Sequence, residues 1–151
     1  FLMGKNIEGK EALVKQIQEE GHLIGNHTYN HVQLDKISKE AAKEEIETTN
    51  QKIFEITGVY PAWLRPPYGE WRKNLDFYLE MFPVLWDVDT LDWKSKNVDS
   101  IMKIVRSEVS DGAVILMHDA YQSSVDAALQ IVDLLMAEEY EFVTVEELIL
   151  P

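Results

Sequence analysis

Apolar and polar positions alternate along this chain in blocks that are typical of helices separated by short strands. Apolar residues recur every three or four positions over residues 8–20, 38–58, 98–109 and 123–137, which predicts amphipathic helices there. Short apolar runs between them predict strands at residues 22–25, 63–65, 84–86, 113–117 and 141–143. A helix is also predicted over residues 75–81, and a last helical turn after Thr144.

Several of these helices carry start and stop signals. Ser38 is a predicted N-cap, and Gly21 and Gly58 are predicted helix ends. Ser123 with Asp126, and Thr144 with Glu147, have the spacing of a capping box. The inward faces are predicted to consist of Leu13, Val14, Ile17, Ala42, Ile46, Thr49, Ile53, Ile56, Ile101, Ile104 and Val105. Adjacent acids in these helices are predicted to be solvated: Glu19-Glu20, Glu44-Glu45, Glu138-Glu139 and Glu146-Glu147.

The alternating order of elements predicts one α/β domain with a parallel sheet and covering helices. Residues 1–4 look like the tail of a further strand. In parallel α/β folds the active site lies at the carboxyl ends of the strands. His, Arg and Asp side chains follow separate predicted strands here, so the order of elements itself points to a site.

Composition narrows the choice of partner. The formal charge of −13 disfavours nucleic acid and anionic membranes, which need clustered Lys and Arg. No apolar run has the length of a membrane span, so no membrane insertion by this segment is expected. The chain contains no Cys, which excludes disulfides and thiolate metal sites.

A pair of histidines, His27 and His31, follows the predicted strand at 22–25. If the intervening turn is helical, both rings project from one face and can share a metal ion. Alone, such a pair is better explained as two ordinary polar residues at a helix start. Two imidazoles would suit zinc, cobalt or nickel alike.

Two further strand ends carry groups suited to acid catalysis and oxyanion binding. His118 leaves an apolar strand next to Asp119 and could act as a general acid, or be an ordinary core histidine. Arg65 precedes Pro66 and Pro67, which fix the direction of the next free N–H, on Tyr68. That N–H could stabilise an oxyanion, and Arg65 could hold a carboxylate, although a rigid surface loop would look the same.

Three acids, Asp87, Asp89 and Asp92, crowd one strand end beside Trp93. They would repel one another unless cations or a metal neutralise them. Trp93 and Leu116 could wall a pocket of the size of an acetyl methyl group. An acidic loop with a packing Trp is the simpler alternative. A metal-bound water, a histidine acid, an oxyanion donor and a methyl-sized pocket together predict hydrolysis of an acetyl ester or amide.

The residues resemble four ordered motifs of the polysaccharide deacetylases of the NodB-homology type (carbohydrate esterase family 4). His27-Thr28-Tyr29-Asn30-His31 resembles its H-[ST]-x-x-H metal motif, and Arg65-Pro66-Pro67-Tyr68-Gly69 its R-x-P-Y motif. Asp89-Thr90-Leu91-Asp92-Trp93 resembles D-x-x-D-W, and Leu116-Met117-His118 resembles L-x-H. The sequence around these motifs is most similar to that of bacterial peptidoglycan N-acetylglucosamine deacetylases.

This resemblance implies a distorted (β/α) barrel and a role for each matching residue. His27 and His31 would bind a divalent metal, usually zinc, and Arg65 would orient the catalytic carboxylate. The Tyr68 N–H would stabilise the oxyanion, and Asp92 would tune His118, the general acid. Trp93 and Leu116 would line the acetyl pocket. The implied substrate is an N-acetylated cell-wall glycan, and the implied location is extracellular or at the cell envelope.

One motif of the family is absent. Its T-F-D-D-G segment supplies the catalytic base and the third metal ligand, and this chain contains no Asp-Asp pair. We therefore expect residues 1–151 to be a catalytic domain that lacks about 30 residues, one βα unit, at its N-terminus and is inactive alone. The alternatives are a chitooligosaccharide or acetylxylan deacetylase, or a non-catalytic carbohydrate-binding relative.

Overall fold

The computed structural model describes residues 1–71 and 81–149, which form two compact units, Phe1–Leu85 and Trp86–Pro151. The helices are α1 (Glu11–Glu19), α2 (Lys39–Thr57), α3 (Asp92–Ser95), α4 (Val98–Glu108), α5 (Gln122–Ala137) and α6 (Val145–Ile149). The strands are β1 (Trp63–Leu64), β2 (Phe82–Pro83), β3 (Val88–Asp89) and β4 (Ile115–Leu116). Residues 75–80 of the helix predicted over 75–81 lie outside the described residues.

The sheet pairing in the first unit is parallel, as predicted. β1 pairs with β2, and Asn26 forms single-residue parallel bridges to Leu2 and to Leu64. The strand predicted at residues 22–25 is wrong, because the residue that pairs on both sides is Asn26. Its N–H donates to the Trp63 carbonyl, and its own carbonyl accepts from the Arg65 N–H. The histidine segment therefore begins directly at a sheet position.

The strand predicted at residues 84–86 is also wrong. The Val84 N–H donates to the Leu64 carbonyl in the first unit, whereas the Asp87 and Val88 N–H groups donate to Val114 in the second. Residues 84–86 therefore connect two strands, β2 before them and β3 after them, and do not form a strand themselves. In the second unit β3 pairs in parallel with β4.

The long helix of the first unit matches its prediction. The Ser38 hydroxyl accepts a hydrogen bond from the Ala41 N–H, and Gly58 ends the helix in the left-handed conformation. Two small cores pack on this unit's helices: Leu34, Ala42, Ile46, Leu64 and Met81, and Ile7, Val14 and Ile53.

α1 begins at Glu11 rather than at residue 8, and Leu13, predicted to face inward, is 53% exposed. Val14 instead carries the buried face of this helix, in a cluster with Ile7 and Ile53.

The second unit is built on the contact between α4 and α5. Its core consists of Ile101, Met102, Val105, Ala127, Ile131 and Leu135. The predicted face of α4 is confirmed, with Ile104 half-buried and Met102 as an addition.

Predictions of local structure in the second unit are only partly correct. β4 covers two residues of the predicted 113–117, and of that run only Leu116 is fully buried. Residues 141–143 form no strand. Tyr121, without a side-chain cap, precedes α5, so the Ser123 capping box is wrong. The Thr144 capping box is confirmed, with the Thr144 N–H donating to Glu147 at 2.7 Å and the Glu147 N–H returning to the Thr144 hydroxyl at 3.3 Å. None of the helices in the described part of the chain combines the length and apolar character of a bilayer span.

Candidate metal and catalytic site

The two imidazoles His27 and His31 lie together, but not on a helix. Their ring centroids are 4.8 Å apart with the planes at 73°. The connecting segment is an irregular loop in which Thr28 and His31 have positive φ angles of 59° and 63°. The helical turn considered from the spacing is therefore wrong, and the loop brings the rings together instead.

The His27 ring is held in one orientation. Its Nδ1 lies 2.6 Å from the Arg65 carbonyl oxygen. A carbonyl only accepts, so Nδ1 carries the proton and the lone pair of the neutral ring is on Nε2. Burial lowers the pKa of His27 to about 4, which keeps the ring neutral at physiological pH. An imidazole with Nδ1–H on a carbonyl and a free lone pair on Nε2 is in the form that binds metal.

Hydrogen bonds within the loop support its conformation. The Asn26 carboxamide, fully buried, accepts from the Thr28 N–H at 2.7 Å and donates to the Ile46 carbonyl at 2.9 Å. The Thr28 hydroxyl accepts from the His31 N–H at 3.0 Å. Positive φ is costly for a β-branched residue such as Thr28, so these bonds offset real backbone strain.

Arg65 is a half-buried cation with neutral partners. Its guanidinium donates to the carbonyls of Val84 at 3.3 Å and Leu85 at 3.5 Å and lies 4.3 Å from the centre of the Phe1 ring. Burial lowers the pKa of Arg65 to about 10, which leaves it charged at neutral pH. Within residues 1–71 and 81–149 no carboxylate forms an ion pair with Arg65.

Tyr68 adopts the unusual backbone that the double proline suggested. Its φ is 62°, in a three-residue 3₁₀ turn, Pro67–Gly69. The N–H groups of Gly69 and Glu70 are used inside the turn, whereas that of Tyr68 donates to no backbone carbonyl of the described residues. The Tyr68 ring lies against His31, with centroids 4.9 Å apart. The first unit thus brings His27, His31, Arg65 and Tyr68 together.

In the second unit His118 and Asp92 form a tight dyad. The His118 Nδ1 is 2.8 Å from Asp92 Oδ1, and the His118 backbone N–H donates to Asp92 Oδ2 at 2.8 Å. Burial raises the pKa of the Asp92 carboxyl, but these hydrogen bonds outweigh burial and hold that pKa below its usual value. Asp92 is fully buried, so a fixed carboxylate orients the imidazole and directs its Nε2 outward.

The other two acids of this segment accept hydrogen bonds from backbone N–H groups. Asp87 accepts from the Val114 N–H at 2.8 Å, and Asp89 accepts from the Leu91 N–H at 3.0 Å. Backbone N–H groups, which the side-chain types in the sequence do not reveal, donate hydrogen bonds to two of the three carboxylates. The sequence-based expectation of cationic or metal partners did not consider these backbone donors, and the third carboxylate, Asp92, pairs with His118.

The two residues expected to line the acetyl pocket lie in the same unit as the dyad. Trp93 directly follows Asp92 on α3 and is 49% exposed, whereas Leu116 is buried in β4. The Leu116 carbonyl accepts from the Thr90 hydroxyl at 2.8 Å, which links β4 to the loop before α3. An exposed indole next to a buried acid is available to contact a ligand.

The donor set fits a metal ion in part. Two imidazoles whose ring centroids lie 4.8 Å apart suit a divalent ion such as zinc. No group of three His, Cys, Asp or Glu side chains suited to a metal occurs within the described residues. Within the described residues, His27 and His31 thus offer two candidate ligands, one fewer than the three protein ligands of a typical catalytic zinc site.

The sequence-based prediction for Glu45 is wrong. The sequence predicts that Glu45 belongs to a solvated helix face. It is half-buried, and its carboxylate accepts both the backbone N–H and the side-chain amide of Asn30, at 2.7 and 2.8 Å. The spacing of α2 gives no signal of this contact, because Asn30 lies in an irregular loop.

The parallel α/β fold, the histidine pair and the His118–Asp92 dyad together indicate the class of protein to which this chain belongs. The chain belongs to the polysaccharide deacetylase family, whose model matches residues 1–83. It is 36% identical over 148 residues to the peptidoglycan-N-acetylglucosamine deacetylase of Listeria monocytogenes, covering 98% of this chain and 32% of that protein. The chain thus spans about a third of the length of this relative.

Solved structures give the same fold. The peptidoglycan deacetylase PdaC from Bacillus subtilis superposes with a TM-score of 0.95 at 36% identity, over 98% of this chain and 73% of that chain. A carbohydrate esterase family 4 pseudoenzyme from Bacillus anthracis superposes with a TM-score of 0.89 at 27% identity, over 98% of this chain and 53% of that chain. The predicted fold class and family are confirmed.

Proposed function

We propose that this chain is part of the catalytic domain of a metal-dependent hydrolase that removes N-acetyl groups from N-acetylglucosamine residues of a peptidoglycan-type polysaccharide. The reaction cleaves a carbon–nitrogen bond that is not a peptide bond. The observation that carries the proposal is the same local arrangement of an imidazole in each of the two units. His27 and His118 both have Nδ1 fixed by an acceptor, which leaves Nε2 of each for chemistry.

His118 is the general acid of the proposed reaction. Its protonated Nε2 gives a proton to the glucosamine nitrogen as the carbon–nitrogen bond breaks. Asp92, which accepts from Nδ1 at 2.8 Å, stabilises the positive charge of the ring while it holds that proton. Because Asp92 is fully buried and also binds the His118 backbone, the ring cannot turn away from the substrate.

The other site residues bind and orient the acetyl group. The Tyr68 N–H, directed by the 3₁₀ turn, donates to the oxyanion that develops on the acetyl oxygen. Trp93 and Leu116 contact the methyl group. Arg65, a charged group whose described partners are neutral, orients the carboxylate that serves as the base.

His27 and His31 would hold the divalent ion, zinc by preference and cobalt or nickel as substitutes. Once bound, the ion supplies Lewis acidity toward the acetyl carbonyl and acidifies a water. The chain contains no Asp-Asp pair of the kind that supplies the base and the third ligand in this family. A peptidoglycan substrate places the protein at the cell envelope or outside the cell.

Acetate release by the full-length protein tests the proposal. N-acetylglucosamine oligomers, peptidoglycan and acetylxylan would be supplied in parallel, which also ranks the alternative substrates. His118→Ala should lower acetate release by about 10²–10⁴-fold, because the leaving amine loses its proton donor. His22→Ala is the matched control, since His22 is exposed and lies outside the site. Equal rates for the two variants would refute the assigned acid.

A second candidate is a carbohydrate-binding pseudoenzyme. It is favoured by the absence of an Asp-Asp pair and by the similarity to the Bacillus anthracis pseudoenzyme. The sequence that encodes the full protein distinguishes the two. A T-F-D-D-G segment elsewhere in it supports the enzyme, whereas its absence together with glycan binding but no acetate release supports the pseudoenzyme.

A further inference from the structure

Glu45 contacts the loop that carries both histidines. Asn30 lies one position before His31, and both of its N–H donors point at one carboxylate. The backbone N–H donates to Glu45 Oε2 at 2.7 Å, and Nδ2 donates to Oε1 at 2.8 Å. Two parallel bonds to an ionised acceptor fix both the distance and the orientation of the bound group.

The conformation that this contact holds is a costly one. Thr28 and His31 have φ angles of 59° and 63°, a region that residues with side chains rarely occupy. A loop with two such residues persists only where its surroundings determine it. A change in these φ angles would alter the position of the His31 ring relative to that of His27, which lies 4.8 Å away between centroids.

Helix α2 makes hydrogen bonds to the loop on both sides of the strained segment, at Asn26 and at Asn30. At the first side, the Asn26 carboxamide donates to the Ile46 carbonyl and to the Asn50 side chain, at 2.9 and 2.7 Å. At the second side, Glu45 binds Asn30. Ile46 is fully buried, so α2 is a fixed support for both contacts.

We infer that Glu45 is a positioning residue that sets the separation of His27 and His31 and thereby the metal affinity of the pair. The inference rests on the proposed function, because it takes the pair as metal ligands. Glu45 is not itself a ligand in this account, since both of its oxygens are engaged by Asn30.

Zinc titration of the metal-free full-length protein by calorimetry tests the inference. Glu45→Ala should raise the Kd for Zn²⁺ by about 10–100-fold, the loss typical of residues that orient metal ligands. Glu45→Gln should stay close to wild type, because the new amide can accept the Asn30 N–H and donate to a rotated Asn30 carboxamide. Glu44→Ala is the matched control on the exposed side of the same helix and should leave the Kd unchanged.

Activity and folding separate positioning from a general structural effect. At saturating zinc, Glu45→Ala should recover most of the wild-type kcat, and its circular dichroism should match that of wild type. An unchanged Kd in Glu45→Ala, or an equal loss in Glu44→Ala, would overturn the inference and leave the proposed function intact. A wild-type protein that binds no zinc would overturn both.

Discussion

Replacement of Asp92 by Asn tests the dyad with almost no change in shape. The Asp92 carboxylate is fully buried and accepts two hydrogen bonds from His118, one from the ring and one from the backbone, each at 2.8 Å. A carboxamide of the same size has one acceptor oxygen. In Asp92→Asn the amide nitrogen faces either the His118 backbone N–H or Nδ1. A ring that keeps its proton on Nδ1 then leaves one N–H without an acceptor, whereas a ring with its proton on Nε2 accepts from the amide.

The expected loss of stability follows from these two bonds. An N–H left without an acceptor costs about 1–3 kcal/mol. The loss of charge assistance costs about another 1 kcal/mol in either tautomer. The free energy of unfolding should fall by about 1–4 kcal/mol, with the low end for a ring that moves its proton to Nε2, and a domain of this size loses about 2–4 °C in Tm for each kcal/mol.

The loss should depend on pH in one direction. Hydrogen bonds hold the pKa of Asp92 in the folded protein below the unfolded value of about 3.9. The stability that the charged carboxylate contributes is therefore fully present above that unfolded value and disappears as pH falls through the lower folded pKa. The gap between wild type and Asp92→Asn should be constant near pH 7 and shrink below about pH 4.

Urea unfolding between pH 3 and pH 7 measures both effects. Asp89→Asn is the matched control, because Asp89 accepts one N–H, from Leu91, and an amide oxygen can replace it. It should cost less than about 1 kcal/mol. An equal loss in the two variants, or a gap for Asp92→Asn that does not shrink in acid, would refute the account of the dyad.

Three more predictions concern the metal loop and the core. Burial lowers the pKa of His27 to about 4, so metal-free protein should lose stability as pH falls from about 6.5 to about 4. NMR should detect protonation of the His27 ring near pH 4. Protonation near pH 6.5 would contradict the burial of this ring. Thr28→Val should cost about 1–2 kcal/mol in urea unfolding, because the His31 N–H loses its acceptor, whereas the exposed Thr48→Val should change stability by less than about 0.5 kcal/mol. Ile101→Ala should cost about 2–5 kcal/mol by the cavity that it leaves in the second unit, and wild-type stability would argue against the packing of α4 on α5.

The helices of this protein could be predicted from sequence because their signals are local. The periodic apolar residues of α2, its cap at Ser38 and the left-handed Gly58 act within a few positions of one another. The strands could not be predicted as well. Their pairs are two residues long, and hydrogen bonds to distant segments decide where they begin, as the Val84 and Asp87 N–H groups illustrate.

The site follows the same division. The motif spacing identified His27 and His31 as a pair, but the loop geometry that joins them depends on positive φ angles and on α2. For Glu45, a helical acid next to another acid gives no indication of a partner 15 positions away. Residue types could thus be predicted, whereas the supporting contacts required the fold.

The most direct test of the central claim is the ratio of acetate to free amine produced from an N-acetylglucosamine polymer by the full-length protein, before and after removal of metal. The account predicts equal amounts of the two products, loss of both on chelation, and recovery with added zinc. Acetate without a matching free amine, or undiminished release after chelation, would contradict a metal-dependent N-deacetylase.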